Sequence, residues 1–238
     1  MKTDFHSHFL PGIDDGAKTP GQSVGILQYL KNNGIDRVCA TPHFAKHGER
    51  VSSFLERRAD AVRRLDEFID SSGIDRRTLP EIVLGAEVHL YRNLTERERL
   101  EELCYEGTRW ILLELPFRKF EGWELEEVYN IMYQLKVNPV MAHINRYTEF
   151  YSKSEFSDMF YNGDFALQIN CESANTFSGS SLIKKVAKSG FDVLFGCDIH
   201  DPDKTGECGL ERTEKILGKL PSDRFYELEE FERSVLNR

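Results

Sequence analysis

The chain has 238 residues and a formal net charge of −9, from 40 acidic and 31 basic side chains. An acidic surface opposes general binding to nucleic-acid phosphates or to anionic membranes. No segment approaches the roughly 18 apolar residues of a membrane span, and the N-terminus has no apolar signal segment. The five cysteines form no Cys-x-x-Cys pair, which is typical of reduced core residues. We therefore expect a cytoplasmic protein without nucleic-acid binding or membrane insertion, folded as a single domain over residues 1–238.

Seven short apolar segments are predicted as β-strands, and amphipathic helical patterns separate them. In chain order, the strands begin with the N-terminal segment that contains Asp4–His8 and continue at residues 37–42, 81–87, 110–114, 138–143, 165–170 and 193–200. The helices are predicted at residues 19–34, 53–70, 95–104, 124–136, 180–189, 210–220 and 222–237. Two helix starts have clear signals, because Thr19 precedes a proline and Ser53 with Glu56 has the pattern of a capping box.

This alternation of apolar strands and helices predicts an α/β fold with a parallel sheet that is buried on both faces. Closed into a ring, seven such units form a distorted TIM-like (βα)7 barrel, with one unit fewer than a TIM barrel. Active sites of such barrels lie at the carboxyl ends of the strands. Those ends are therefore the place to look for functional residues.

Titratable side chains collect at these predicted strand ends. His6 and His8 alternate to the same face of the first strand about 7 Å apart, which suits a shared metal ion. Six of the seven strands end in histidine, aspartate or glutamate, and the set is His6, His8, His43, Glu87, Glu114, His143, Asp198 and His200. Scattered core histidines would not collect at one rim. The pattern therefore predicts a multinuclear metal site.

Seven short motifs, taken together, resemble a known family. They are His6-Ser7-His8, Asp14-Asp15-Gly16, Thr41-Pro42-His43, Gly85-Ala86-Glu87, Leu113-Glu114, the segment Ala142–Tyr147, and Asp198-Ile199-His200. In this order and at about this spacing they resemble the polymerase and histidinol phosphatase (PHP) family. The resemblance is closer to its bacterial branch of CpsB/CapC protein-tyrosine phosphatases. It runs from Met1 to about His200 and implies a barrel of the PHP type.

The resemblance also implies three divalent metal ions. The implied ligands are His6, His8, Glu87 and Asp198 for the first ion, Glu87 as a bridge with Glu114 and His143 for the second, and Asp15, His43 and His200 for the third. Such a set of imidazoles and carboxylates suits Mn, Fe or Zn, and the family suggests Mn.

The implied activity is hydrolysis of phosphotyrosine on a protein by metal-activated hydroxide, without a covalent intermediate. The implied catalytic residues are Arg146, Asp198 and His200, with Arg146 placed to hold the phosphate by two hydrogen bonds. This branch usually has another arginine shortly after the last ligand histidine. Here the candidate is Lys204, which could act only as a point charge. The implied partner is an autophosphorylated bacterial tyrosine kinase that regulates capsule or exopolysaccharide synthesis.

Two other functions stay open on the sequence alone. One is hydrolysis of histidinol phosphate or another small phosphomonoester, and the other is a catalytically idle barrel that binds a kinase. A cysteine-dependent tyrosine phosphatase is excluded, because no cysteine is followed by arginine after five intervening residues.

Several residues near the predicted rim have open roles. These are Asp14, His47 and His89, and the aromatic residues Phe117, Phe120 and Trp123, which either form a wall for a tyrosine ring or pack a loop. The acidic residues from Glu121 to Glu127 are expected on an exposed helix start, where carboxylates suit the helix dipole.

Overall fold

A computed structural model describes residues 2–44, 48–160 and 163–236, apart from the side chains of Pro202 and Lys204. Within these ranges the strands are β1 (Thr3–Ser7), β2 (Arg37–Ala40), β3 (His43–Phe44), β4 (Glu81–Leu84), β5 (Glu87–His89), β6 (Trp110–Glu114), β7 (Asn138–Met141), β8 (Ala166–Asn170) and β9 (Val193–Gly196). The α-helices are α1 (Pro20–Asn32), α2 (Val51–Ser71), α3 (Trp123–Leu135), α4 (Lys153–Phe160), α5 (Phe177–Lys188), α6 (Leu210–Leu217) and α7 (Ser222–Leu236).

The strands form two sheets in which every pair is parallel. The first has the order β1-β2-β4 and the second the order β3-β5-β6-β7-β8-β9. Strand β3 continues β2 after two residues, and β5 continues β4 in the same way. The strands therefore make up seven strand runs, and the predicted α/β fold with parallel strands is confirmed.

The first and last strand runs are also neighbours. The amide of Asp198 donates to the carbonyl of His6 at 2.7 Å, and the amide of His8 donates to the carbonyl of Ile199 at 3.1 Å. A ring of seven runs requires such contacts between its ends. They favour the barrel, whose complete closure stays a prediction.

The interior has two apolar cores. The smaller one receives one side chain from each strand run, namely Phe5, Cys39, Val83, Leu112, Val140, Ala166 and Leu194, and includes Val235 and Leu236 from the end of α7. The larger one contains apolar residues of the helices and of the opposite strand faces. Side chains alternate along a strand, so Val83, Gly85 and Glu87 lie on the same face of their strand run. Because Val83 belongs to the smaller core, Glu87 lies on the same side as that core. The carboxyl ends of the runs thus converge above one packed interior.

The helices differ from prediction at three places. The helix expected at residues 95–104 is absent, and two short 3-10 segments, Leu94–Glu96 and Leu100–Leu103, lie there instead. Arg99 between them has a left-handed φ of 66°, which an α-helix does not tolerate. Helix α2 begins at Val51 after Arg50, without a side-chain cap, so the capping box expected at Ser53 is wrong. Helix α4 was not predicted.

The acidic residues at the start of α3 are not all exposed, contrary to expectation. Glu124 is fully buried, pairs with Arg118 at 2.7 Å and accepts hydrogen bonds from the amides of Glu121 and Gly122. Glu127 is also buried and accepts from the amide and hydroxyl of Thr95. These carboxylates satisfy loop donors, which explains why burial is tolerated.

Two further expectations concern cysteines and membrane segments. All five cysteines are buried and none forms a disulfide. In the described part of the chain, no helix is both long and apolar enough to cross a membrane.

Candidate metal centre

A bulge in β1 places the N-terminal histidines. Asp4 pairs with Val38 and Ser7 with Ala40, so β1 contains one residue more than β2 between these pairs. A β-bulge re-aims the side chains around it. Phe5 therefore joins the smaller core, while the next residue, His6, reaches the strand-end cluster.

His6 and His8 form the centre of this cluster with two carboxylates. Their Nε2 atoms lie 3.0 Å apart. The Oε2 atom of Glu87 lies 3.3 Å from the first and 3.4 Å from the second, and Oδ1 of Asp198 lies 3.4 Å from both. Four ligands about 2.1 Å from one ion in tetrahedral geometry stand about 3.4 Å apart. We call these four residues the inner group, and their donor atoms fit one metal ion.

Glu87 extends the cluster with its second oxygen. Its Oε1 lies 2.9 Å from Nε2 of His143, and the same nitrogen lies 3.3 Å from Oε1 of Glu114. One carboxylate therefore faces two sets of donors, as a bridging ligand does. The three residues proposed for the second ion thus lie together.

The remaining predicted ligands lie at the outer edge. Oδ1 of Asp15 lies 3.3 Å from Nε2 of His43 and 3.4 Å from Nε2 of His200. We call Asp15, His43 and His200 the outer group. His43 also connects to the bridge, because its Nδ1 lies 2.9 Å from Oε2 of Glu87.

Among the described residues, converging donor atoms form three overlapping groups. They are His8, Asp15, His43 and His200; His6, His8 and Glu87; and His43, Glu87 and Glu114. This division differs from the one implied by the resemblance, because it adds His8 to the outer group and His43 to the bridge, and it includes neither Asp198 nor His143. Both divisions involve the same cluster of side chains at the strand ends.

Unsatisfied polar atoms support a role for cations here. Among the described residues, six buried side-chain polar atoms are without a well-formed hydrogen bond, and two of them, Oε2 of Glu87 and Nδ1 of His143, belong to this cluster. Buried polar atoms normally have partners, and exceptions require an explanation such as a bound ion. The donor chemistry and the Oε2 atom of Glu87 together fit divalent metal ions.

Two of the five non-glycine residues with positive φ among the described residues are proposed ligands. His143 has a φ of 32° and Asp198 a φ of 51°, both in the left-handed region that L-residues rarely adopt. Such conformations cost about 1–3 kcal/mol each and cluster at functional sites. The fold therefore holds these two side chains at an energetic cost.

Two glycines allow the strands and loops to approach the histidines. A Cβ on Gly196 would lie 2.5 Å from Cβ of His6, and one on Gly16 would lie 1.9 Å from the carbonyl oxygen of His8. Neither space accommodates a side chain. Both positions therefore require glycine.

Residues that were not recognised in the sequence orient the proposed ligands. Gln168 Oε1 lies 3.1 Å from Nδ1 of His6 and accepts from the amide of His143 at 2.6 Å. Its Nε2 donates to Asn170, which in turn donates to Oδ2 of Asp198 at 2.8 Å. The available signal was a glutamine at an inward position of an otherwise apolar strand. Such partners fix the orientation of metal ligands.

The open roles of Asp14 and His89 are resolved by their contacts. Oδ2 of Asp14 lies 2.8 Å from Nδ1 of His8, and both of its oxygens accept backbone amides. His89 Nδ1 lies 3.1 Å from Oε2 of Glu114. Each therefore orients a proposed ligand. His47 lies outside the described residues.

The electrostatics of the cluster lower the pKa of two carboxylates and raise that of His143, whereas burial and the nearby His8 lower the pKa of His200. Burial alone would raise the pKa of Glu114, but contacts with His143 and His89 lower it to about 2. Burial would lower the pKa of His143, but Glu114 and Glu87 raise it to about 9. Burial opposes ionisation of Asp198, yet His6 and His8 lower its pKa to about 2. A metal ion binding here would displace imidazole protons.

Arg146 lies beside the inner group. Its Nη2 donates to Oδ2 of Asp198 at 2.6 Å, while Oδ1 of the same carboxylate faces His6 and His8. The side chain of Arg146 is 38% exposed, so part of its guanidinium faces solvent. The side chain of Lys204 lies outside the described part of the structure, so its proposed role as a point charge stays a prediction.

A large cavity opens next to Arg146. It has a volume of about 1140 Å³ and is lined by Arg146, Glu172 and residues of α5 and the segments around it, including Ser178 and Leu182. A single phosphoryl group would fill only a small part of this space. The cavity can therefore hold a longer ligand segment.

Comparison with known proteins places the chain in a family. A sequence model described as capsular polysaccharide synthesis, CpsB/CapC, matches residues 2–220. The chain belongs to the CpsB/CapC family. The tyrosine-protein phosphatase CpsB of Streptococcus agalactiae serotype III (strain NEM316) is 24% identical over 169 residues, which is 70% of this chain and 66% of that protein. The tyrosine-protein phosphatase YwqE of Bacillus subtilis (strain 168) is 28% identical over 148 residues, 61% of this chain and 55% of that protein.

These alignments span less than two thirds of the length of either CpsB/CapC relative. A similar solved structure comes from a study of YwqE from Bacillus subtilis and CpsB from Streptococcus pneumoniae, described there as unique metal-dependent tyrosine phosphatases. It has a TM-score of 0.78 and 22% identity, and the match covers 99% of this chain and 95% of that one. This structural similarity supports the fold described above for this chain.

Proposed function

We propose that this protein is a metal-dependent phosphatase that hydrolyses phosphotyrosine on proteins. The observation that carries the proposal is the bridging position of Glu87, whose two oxygens face His6, His8 and His43 on one side and His143 on the other. Phosphatases use such adjacent metal positions to stabilise the attacking and leaving oxygens. The names of the CpsB and YwqE relatives point to the same activity.

The side chains around the centre suit binding of a phosphate group. Bound divalent ions would supply a hydroxide nucleophile at neutral pH and neutralise the phosphoryl oxygens. Asp198 holds one end of the Arg146 guanidinium, which leaves other N–H groups free to donate to a phosphate. The ring of His200 is partly exposed at the outer edge, so it would be the last of the proposed metal ligands before the incoming substrate.

Tyrosine phosphate is the easier substrate for a centre of this kind. A phenolate leaves with a pKa near 10, so it needs less protonation than an alkoxide. The cavity beside Arg146 provides room for the polypeptide that carries the phosphotyrosine. Both features favour a protein substrate over histidinol phosphate.

The finer parts of the proposal follow from the donor set and the family. We propose three divalent ions, with Mn the first choice and Fe or Zn the alternatives, because imidazoles and carboxylates both contribute. The proposed domain spans residues 1–238 and acts in the cytoplasm. Its proposed partner is an autophosphorylated bacterial tyrosine kinase that regulates capsule or exopolysaccharide synthesis, since the family is described by capsular polysaccharide synthesis.

The test compares a phosphotyrosine peptide with histidinol phosphate, in the presence of Mn and after chelation. The variants are wild type, His143→Ala, and Tyr133→Ala as a control on the exposed part of α3. We expect chelator-sensitive turnover that favours the peptide, a loss of at least about 100-fold in His143→Ala, and wild-type rates in the control.

Three other results would change the proposal. Faster turnover of histidinol phosphate would replace the protein substrate by a small phosphomonoester. Turnover that survives complete chelation would contradict metal-dependent chemistry. Absence of turnover in protein that demonstrably contains metal, combined with binding of the phosphopeptide, would favour a binding protein without catalysis.

A further inference from the structure

Phe117 is an exposed apolar side chain at the edge of the metal centre. It follows β6 by three residues and is 45% exposed. Its ring stacks on the imidazole of His143, with centroids 5.3 Å apart and an angle of 28° between the planes. It also stacks on Tyr147 at 5.6 Å. Part of the ring therefore packs on the site, while the rest is open to solvent.

The exposed part of Phe117 lies close to the proposed phosphate-binding group. The Cζ atom of Arg146 is 5.9 Å from the centroid of the Phe117 ring. The same guanidinium is fixed to Asp198. A ligand whose phosphate contacts Arg146 would therefore bring its next atoms toward the surface of Phe117.

The neighbouring aromatic residues have a different role. Phe120 packs against Tyr147, Tyr151 and Phe160. The Cζ atom of Arg92 lies 4.8 Å from the centroid of the Trp123 ring. Neither is among the exposed large apolar side chains of the described residues. Of the two hypotheses for these three residues, loop packing fits Phe120 and Trp123, and only Phe117 is left open at the rim.

We propose that Phe117 binds the aromatic ring of the substrate and thereby makes the site prefer aryl over alkyl phosphates. Aromatic rings prefer offset-stacked or edge-to-face contacts, and these add to the gain from burying apolar surface. The Arg146 guanidinium, 5.9 Å from the centroid of the Phe117 ring, suits the electron-rich face of an aromatic ring bound there. This inference rests on the proposed phosphatase function, and it names the part of the site that recognises the tyrosine side chain.

The test measures selectivity rather than rate alone. Phenylphosphonate and butylphosphonate are compared as competitive inhibitors of the metal-loaded protein, and kcat and KM are measured for a phosphotyrosine peptide. In Phe117→Ala we expect the preference for phenylphosphonate to fall roughly 5- to 20-fold. The loss for the peptide should appear mainly in KM, because ring binding precedes the chemical step.

Two more variants separate recognition from packing. Phe117→Leu keeps apolar contact with His143 but has no ring, so it should lose selectivity as Phe117→Ala does. Phe117→Tyr keeps the ring and should retain it. Tyr226→Ala, which removes a 57% exposed ring from α7, is the control and should behave as wild type.

Distinct outcomes would overturn the inference. If Phe117→Ala weakens both phosphonates equally and lowers the metal content, the ring merely positions His143. If the wild type turns over substrate but selectivity is the same in all Phe117 variants, ring recognition is wrong while the phosphatase function stands. If the wild type with bound metal neither hydrolyses the peptide nor binds either phosphonate, both proposals are wrong.

Discussion

The inner and outer groups of the metal centre use the same kinds of ligand in contrasting surroundings. The side chains of His6, His8, Glu87 and Asp198 are at most 2% exposed. In the outer group, Asp15 is 71% exposed and His200 is 30% exposed. Chemistry alone therefore does not distinguish the two groups, but access to water does.

Neighbouring polar side chains orient the ligands of the inner group. In the inner group, His6 contacts Gln168, His8 contacts Asp14, and Asp198 accepts from Asn170. Orientation of this kind organises ligands before a metal binds. In the outer group Nδ1 of His200 lies 3.0 Å from the carbonyl oxygen of Asp198, but the group faces the solvent from which a substrate arrives. We expect a metal ion bound at the inner group to exchange more slowly than one bound at the outer group.

The largest expected effect comes from the residue shared by both sides of the bridge. Glu87→Gln keeps the size of the side chain but removes its charge, so metal ions on both sides lose an anionic ligand. We expect a loss of at least about 100-fold in hydrolysis, beyond the range for orienting partners, together with a lower metal content. Elemental analysis and phosphatase assays measure both. Glu81→Gln, at the exposed start of the same strand run, is the control. Full metal content in Glu87→Gln would contradict the bridge.

Asp15→Asn tests the outer group. Because this exposed carboxylate pairs with the partly buried imidazoles of His43 and His200, its loss should remove about one equivalent of metal and leave the inner group loaded. Metal content after mild chelation measures the difference. Equal loss from all positions would show that the groups do not act separately.

The adjacent residue provides a matched comparison. Asp14→Asn weakens the contact with His8 Nδ1, so it should reduce metal affinity at the inner group by roughly 10- to 100-fold. Competition with a coloured chelator gives this affinity. If Asp14→Asn and Asp15→Asn have the same metal-binding profile, the expected difference between the two residues is wrong.

The smallest expected effect is the pH dependence of metal-free protein. The pKa of His143 is raised to about 9, so its stabilising contribution is complete below 6.5 and is lost as the pH rises through about 9. The pKa of Glu114 is lowered to about 2, so its contribution is present above 4.5 and is lost as the pH falls through about 2.

Thermal unfolding of metal-free protein measures this dependence. We expect the melting temperature to fall by a few degrees between pH 6.5 and 9 because of His143. His143→Asn, which does not titrate, should have a flatter profile over this range. An equal decrease in the variant would assign the effect to other groups.

Much of this centre could be predicted because parallel strands bring their carboxyl ends together. His43, Glu87, Glu114, His143 and Asp198 follow apolar strand segments in the sequence, and the structure gathers all of them. Strand alternation was also sufficient to place His6 and His8 together. These features depend on local patterns that a single sequence contains.

Other features depend on contacts between distant segments. The bulge in β1 and the positive φ of His143 and Asp198 have no local signal, because the surrounding strands impose them. The helix predicted at residues 95–104 is absent for the same reason, since an amphipathic pattern does not reveal that Arg99 has a left-handed backbone conformation. Burial of Glu124 required a partner, Arg118, whose position only the folded loop defines.

The sequence by itself determined which side chains can bind metal and in which strand runs they lie. Only the tertiary structure decided which donor atoms share a position, that Gln168 and Asn170 orient them, and that Asp15 is open to water while Glu87 is not. The physical reason is distance. Metal coordination and hydrogen bonding depend on tenths of an ångström between residues far apart in the chain, and packing of the whole fold sets those separations.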